Sequence, residues 1–89
     1  MAFQLEHDFA GAKYTVVGDE GQLEVMGPDL PKALVHFVKI FNECSIDVTG
    51  LNARQPANGQ LVLSFKFETE EEEDLQLLVE ELSAAAPRN

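Results

Sequence analysis

The sequence predicts an α+β fold, a two-layer sandwich in which an antiparallel sheet of four or five strands carries two helices on one face. Three observations predict this class. Apolar and polar residues alternate in the N-terminal third and again after residue 60, with the period of a half-buried strand. Two longer segments repeat apolar residues at the spacing of an amphipathic helix. A sheet with both helices on one face buries all of these apolar stripes together.

The first third of the chain predicts three strands in a meander. Residues 3–9 alternate apolar and polar side chains and place His7 on the core side of a strand or at a sheet edge. Tyr14–Val17 is rich in β-branched and aromatic residues, which favour a strand. Gln22–Met26 resumes the alternation after the turn signal Gly18–Gly21, and so short a connection predicts an antiparallel hairpin.

The middle of the chain predicts a helix that ends between residues 42 and 45. Asp29 can cap the first free amides, and Pro31 is tolerated in the first turn because its missing N–H has no partner there. The apolar stripe of this helix is formed by Leu34, Phe37, Val38 and Phe41. The polar side carries Lys32, His36, Lys39 and Glu43. We expect His36 to be a solvated surface residue.

The second half predicts two more strands and a second helix. Ile46–Ala53 is the next strand, with a bulge at Gly50, and residues 55–59 form a turn around Asn58-Gly59. Apolar residues at positions 61, 63, 65 and 67 share one face of the following strand. Thr69 and Glu72 have the spacing of a capping box. The stripe of the helix that follows is formed by Leu75, Leu78, Val79 and Leu82.

The element order is therefore β-β-β-α-β-β-α, in a single domain that spans residues 1–89. A right-handed crossover carries the chain past one strand position, so the strand after residue 60 should pair inside the sheet. Residues 22–85 then form a β-α-β-β-α unit, most of a ferredoxin-like fold. Among the N-terminal strands of residues 1–21, Tyr14–Val17 would fill the vacant edge, which gives a permuted ferredoxin-like sheet. Residues 86–89 are expected to fray.

Charge and composition argue against several classes of function. Six Lys plus Arg against sixteen Asp plus Glu leave a formal net charge of −10, which repels nucleic-acid phosphates and anionic membrane surfaces. No apolar run reaches the ~20 residues needed to span a bilayer, and the N-terminus lacks the features of a signal peptide. We therefore expect a cytoplasmic protein that binds neither nucleic acid nor membrane.

Residue types that support catalysis or metal binding are sparse. Cys44 is the single cysteine, lies at core spacing in the first helix and predicts a buried structural thiol. The acidic run Glu70–Asp74 points its side chains in different directions and suits a helix N-terminus without a metal. Neither histidine has an evident acid or nucleophile partner. We expect no cofactor, no metal site and no catalytic residue.

From about Gln22 to Ala85 the chain resembles the ACT domain, a small regulatory module that binds ligands. Val25–Leu34 is similar to the family's opening strand, its loop of the type Gly-x-Asp-x-Pro-Gly and the start of its helix. Phe41–Val48 resembles the helix end and second strand, often Glu-x-Gly-Ile-Asn-Ile. Leu61–Leu82 is similar to the remaining strand and helix. The resemblance implies a ferredoxin-like fold and regulation without catalysis.

The resemblance also implies effector binding near the loop Pro28–Leu34, often an amino acid at a dimer interface. The ligand-binding residues it indicates are Pro28, Asp29, Leu30, Lys32 and Ser45. Two of these positions depart from the family pattern, because Lys32 and Ser45 stand where the family has glycines. A side chain there limits how closely the backbone can approach a ligand. An ordinary helix start, capped by Asp29, is the favoured explanation of the loop and requires no ligand.

The sheet face turned away from the helices mixes apolar and polar side chains, which is typical of a partner surface. The interface residues expected there include Thr15, Val17, Met26, Val62 and Ser64. Edge-to-edge strand pairing is a second route to a homodimer.

The leading hypothesis is a non-catalytic regulatory or protein-interaction module that works as a homodimer, with a protein partner or a small-molecule effector. Two alternatives stay open. One is an acidic inhibitor or antitoxin-like protein that presents carboxylates to a basic partner. The other is a small dimeric ferredoxin-like enzyme with a pocket between helices and sheet.

Overall fold

The computed structural model describes residues 2–55, 61–69 and 71–84, and within these ranges the chain is an α+β fold. The elements are β1 (Phe3–Phe9), β2 (Ala12–Asp19), β3 (Gln22–Met26), α1 (Leu30–Glu43), β4 (Asp47–Arg54), β5 (Val62–Glu68) and α2 (Glu72–Ala84). All five strands form one antiparallel sheet in the order β1-β2-β3-β5-β4. The loop expected around Asn58-Gly59 and the tail expected to fray lie outside the described residues.

The strand order confirms the pairing expected from the sequence. β2 pairs with β3 along residues 15–19 and 22–26, so the N-terminal meander is present as three strands. β5 lies between β3 and β4, as a crossover past one strand position requires. The register of β4 shifts between Val48 and Gly50, which is the bulge expected at this glycine.

The helices share one face of the sheet. The core cluster combines side chains of α1 and α2 with residues of alternate positions on β2, β3 and β5, for example Val16, Val25 and Phe65. Three aromatic rings pack together in this cluster. The ring centroid of Phe65 lies 6.2 Å from that of Phe37 and 5.3 Å from that of Phe41. These spacings are typical of favourable tilted aromatic pairs. The arrangement is that of two layers.

The buried side of α1 is centred slightly differently from the expected stripe. Phe37 and Phe41 are buried as expected, whereas Leu34 and Val38 are half-buried. The fully buried positions added by the structure are Leu30, Ala33 and Ile40. The helix therefore turns its small Ala33 side towards the sheet, which lets the backbone lie close to the strands.

Both ends of α1 are closed by local hydrogen bonds. A side-chain oxygen of Asp29 accepts from the backbone N–H of Lys32 at 3.2 Å, the N-cap bond predicted from the sequence. At the other end Ser45 has φ of +59°, its N–H donates to Asn42 O, and the N–H of Ile46 donates to Phe41 O. These two bonds define a Schellman ending, in which the left-handed position is normally a glycine.

The start of α2 differs from the capping box expected at Thr69 and Glu72. The helix begins at Glu72, and a carboxylate oxygen of Asp74 accepts from the backbone N–H of Glu71 at 3.4 Å. The capping box expected at Thr69 and Glu72 is therefore wrong in position. The side chain that accepts from the backbone N–H preceding the helix belongs to Asp74, two residues after Glu72. Glu72, Glu73 and Asp74 occupy the first turn, where the helix dipole favours negative charge.

Among the described residues, no helix is both long enough and apolar enough to cross a membrane.

Candidate functional site

The loop between β3 and α1 is fixed by the side chain of Tyr14. The Tyr14 hydroxyl donates to the backbone carbonyl of Asp29 at 3.0 Å. A Cβ on Gly27 would lie 2.0 Å from an atom of the Tyr14 ring, so no other residue fits there without moving that ring. A glycine at position 27 thus has a structural reason within this chain.

The residues expected to bind a ligand at this loop have different environments. Pro28 and Lys32 are exposed, and the Lys32 ammonium lies 4.0 Å from a carboxylate oxygen of Asp29. Leu30 is 7% exposed and belongs to the core, so its side chain is not available to a ligand. Asp29 already caps the helix.

Ser45 lies at the opposite end of α1 from the other four residues. At about 1.5 Å of rise per residue, the helix of 14 residues separates the two groups by about 20 Å. Within one chain they do not form a common pocket. The positive φ of Ser45 is nevertheless the conformation that glycine adopts most easily, which is the residue type the family has there.

The sheet face away from the helices, called the open face below, carries the five expected interface residues. Thr15, Val17 and Met26 are half-buried. Val62 and Ser64 are only 4% and 7% exposed, although they point away from the core cluster. The side chain of Gln22 on the neighbouring strand contacts Ser64, since its Nε2 donates to the Ser64 hydroxyl at 3.3 Å. These two residues therefore offer little surface to a partner.

A shallow concavity of about 440 Å³ lies on the open face between β3 and β4. Its polar wall is an ion pair in which the Arg54 guanidinium donates to a Glu24 carboxylate oxygen at 2.7 Å. Arg54 on β4 and Glu24 on β3 are thus paired across the intervening strand β5. Lys66 also lines the concavity.

The two edges of the sheet differ in how well they are covered. α2 packs against β1, whose Phe3, Leu5 and Phe9 contact the core and whose His7 is fully buried. On β4, by contrast, none of the eight residues is buried, although α1 also reaches this strand. Leu51 is 49% exposed. It faces the helix side, because it pairs with the core residue Phe65.

A pair of histidines forms the most unusual polar contact in the described part of the chain. His7 on β1 is 0% exposed, its Nδ1 lies 2.9 Å from the Leu82 carbonyl oxygen, and its Nε2 lies 2.7 Å from Nε2 of His36. The expectation that His36 is a solvated surface residue was wrong. Its ring is half-buried and stacks on Phe9 with a centroid distance of 3.8 Å and an interplanar angle of 12°.

The hydrogen-bond partners decide which ring nitrogens carry hydrogen. A carbonyl oxygen can only accept, so Nδ1 of His7 donates to Leu82. A neutral His7 then has its lone pair on Nε2, and Nε2 of His36 must donate to it. Burial, followed by the nearby His7 and Lys39, lowers the pKa of His36 from its ordinary value. The pair links β1, α1 and the last turn of α2.

An open, mostly apolar groove of about 450 Å³ runs beside this pair, between β1 and α1. We call it the β1–α1 groove; it is lined by Phe9, Pro31, Lys32, Val35, His36 and Lys39. Val35 is 62% exposed, so the groove presents an apolar side chain to solvent. Lys32 is the one residue of the expected ligand set that lines this groove.

These features do not assemble a catalytic or metal centre in the part of the chain that the structure describes. Neither imidazole hydrogen-bonds to a carboxylate there, so the pair lacks the third group that orients a general base. No group of three or more potential ligands is placed to hold a metal ion within residues 2–55, 61–69 and 71–84. Cys44 is buried as expected, and burial with the nearby Glu81 and Glu43 raises the pKa of its thiol, which disfavours the reactive thiolate.

Sequence reasoning missed the histidine pair, although it gave the core side of β1 as one of two places for His7, the other being a sheet edge. The alternation of β1 carried that signal, whereas the helical pattern grouped His36 with Lys32 and Lys39 on the polar side.

A comparison of the chain with protein-family models, with curated proteins and with solved structures finds no match in any of the three.

Proposed function

We propose that this chain is a non-catalytic protein-interaction module that works as a homodimer, with two copies pairing through β4. The observation that carries the proposal is the exposed edge strand. β4 buries none of its eight residues, although α1 contacts it, whereas β1 at the other edge buries His7 and packs three apolar side chains against the core. An exposed strand edge presents unpaired backbone donors and acceptors, which a second copy can satisfy.

The side chains at this edge favour pairing. Val48, Leu51 and the nearby Leu61 are 36%, 49% and 49% exposed, so the apolar side of the edge is available for burial. The central run of β4, from Thr49 to Ala53, carries no charge. Charged residues are a common device that keeps strand edges apart, and β1 has them at Glu6 and Asp8.

A two-fold pairing centred on Asn52 gives a consistent arrangement. Leu51 would then stand opposite Ala53 of the second copy on the helix side, and Gly50 opposite Arg54 on the open face. Residues directly opposite each other share a face, so this register keeps apolar residues together. It also leaves the bulge between Val48 and Gly50 at the end of the paired segment.

The ACT-like resemblance supports a regulatory role for such a dimer. Three features agree with it: the order β2-β3-β5-β4, the loop glycine packed under Tyr14, and the left-handed Ser45 in the place of a family glycine. On this proposal the fold is a permuted ferredoxin-like sheet, to which β1 adds a fifth strand. An effector or partner that favours one dimer geometry would shift the population of dimers.

The proposal is tested by the molar mass in solution, measured by light scattering over a range of protein concentrations. We expect twice the 9.8 kDa of one chain at high concentration. Leu51→Lys should shift the chain to the monomer, because a charge would be brought against the partner's edge. The matched control is Leu77→Lys, since Leu77 is 47% exposed and lies on α2, the helix that packs against the opposite edge strand β1.

Two outcomes would contradict pairing through β4. One is a wild-type chain that stays monomeric at every concentration. The other is a dimer that survives Leu51→Lys and is lost on Thr15→Lys, which would move the interface to the open face.

The acidic-inhibitor alternative rests on the net charge of −10 and on the exposed carboxylates of Glu71, Glu72 and Glu73 at the start of α2. It requires a contiguous acidic strip that a basic protein can contact. Reversing this segment with Glu72→Lys and Glu73→Lys should abolish binding of a basic partner on that alternative. The same double change should leave the molar mass of the proposed dimer unaltered.

A further inference from the structure

The β1–α1 groove concentrates cationic side chains in a chain that has few of them. Only six Lys and Arg residues occur in the sequence, and two of them, Lys32 and Lys39, line this groove. Lys39 makes no ion pair with any residue that the structure describes, whereas Lys32 is paired with Asp29 at 4.0 Å and Arg54 on the open face with Glu24. Lys39 therefore places one unpaired cation beside an apolar surface.

The groove is lined mainly by apolar side chains. The rings of Phe9 and His36 stack on each other, and His36 also hydrogen-bonds to the buried His7. Pro31 and the exposed Val35 extend the apolar surface along α1. A volume of about 450 Å³ lies within the range of small-molecule sites.

The histidine pair adds a place for one proton at this groove. If His36 becomes protonated, it keeps its donation to His7 and gains a hydrogen on Nδ1. A proton taken from water therefore ends on the nitrogen of His36 that His7 does not use.

We propose that the β1–α1 groove binds a small monocarboxylate with an apolar body, and that binding is accompanied by uptake of one proton on the histidine pair. The apolar body covers Val35 and Phe9, and the carboxylate is held by the lysines and by the protonated His36. No covalent bond is formed or broken. The proposal is independent of pairing through β4, because its residues lie on β1 and α1.

The charges that act on His36 come from three sources. His7 on β1 and Lys39 on α1 disfavour its protonation, and Glu43 on α1 favours it. Lys32 lines the same groove and is paired with Asp29. From α2 the pair receives only the carbonyl of Leu82, which accepts from His7. A bound carboxylate offsets the positive charge of Lys39, so proton uptake and ligand binding strengthen each other.

The experiment uses ¹⁵N-labelled full-length protein and the probe 3-phenylpropionate, followed by amide and imidazole chemical shifts. The neutral comparison is 3-phenylpropan-1-ol, which has the same carbon skeleton without the charge. We expect shift changes at residues 9, 35, 36 and 39, binding that is tighter at pH 5.5 than at pH 8, and a rise in the midpoint of the His36 titration when the probe is present.

Two variants complete the test. Lys39→Gln should weaken binding of the probe by about threefold to fivefold, the effect of losing one exposed charge contact. Lys66→Gln, on the open face, is the matched control and should leave the affinity unchanged. The proposal is overturned if no chemical-shift changes occur at the groove, or if the alcohol binds as tightly as the carboxylate. It is also overturned if the affinity does not depend on pH, or if Lys66→Gln weakens binding as much as Lys39→Gln. The molar mass of the same samples reports separately on the dimer.

Discussion

Replacing Ser45 by glycine should stabilise the protein, because this residue holds a left-handed backbone conformation. Its φ is +59°, at the position after the C-cap of α1 where a Schellman ending favours glycine. A left-handed conformation costs a residue with a Cβ about 1–2 kcal/mol. Glycine loses more backbone entropy on folding, and this loss offsets about 0.5–1 kcal/mol of the stability gained by removing the Cβ. The net expectation is about 0.5–1 kcal/mol of added stability.

The assay for Ser45→Gly is urea unfolding followed by circular dichroism, with the midpoint and slope fitted separately. The slope should stay constant, because the surface exposed on unfolding is unchanged. In a thermal scan the same gain corresponds to about 2–8 °C for a domain of this size. Ser45→Ala is the matched control: it removes the hydroxyl but keeps the Cβ, so it should not raise the midpoint. A midpoint for Ser45→Gly at or below that of the wild type would refute the argument from backbone conformation.

Three further predictions concern the packing of Tyr14 against Gly27, the histidine pair and the Cys44 thiol. Gly27→Ala should lower the stability by about 1–3 kcal/mol in the same urea assay, since its Cβ would displace the Tyr14 ring; an unchanged midpoint would contradict that packing. Because the pKa of His36 is lowered in the folded protein, the unfolded chain binds more protons as pH falls below about 6.5, and stability should fall from pH 7 to pH 5.5. His36→Gln should lessen this loss, and an equal loss in both proteins would show that another group causes it. Cys44 should react with a thiol reagent only after unfolding, and rapid labelling of the native protein would contradict its burial.

The sequence was most informative where a single periodic pattern decides which side of an element is buried. The alternation at positions 63, 65 and 67 predicted the core side of β5, and Phe65 and Phe67 are buried accordingly. Asp29 was recognised as the cap of α1 because an N-cap depends only on residues within one turn. The place of β5 between β3 and β4 followed from the handedness of the crossover.

The sequence was least informative where two elements meet. His36 lies on the polar side of its helix, but Phe9 and His7 of β1 reach past the sheet edge to contact it. Nothing in the pattern of α1 shows where β1 ends relative to that helix. The same limit explains Ser64, which lies on the open face as expected and is nevertheless buried by Gln22 from the neighbouring strand.

Amide hydrogen exchange at the two edges of the sheet tests the central claim most directly. If two copies join through β4, the outward-facing amides of residues 50–54 should exchange more slowly as the protein concentration rises. The amides of β1 should show no such dependence. Exchange at β4 that is the same at every concentration, or slowing confined to β1, would contradict a dimer built on this strand.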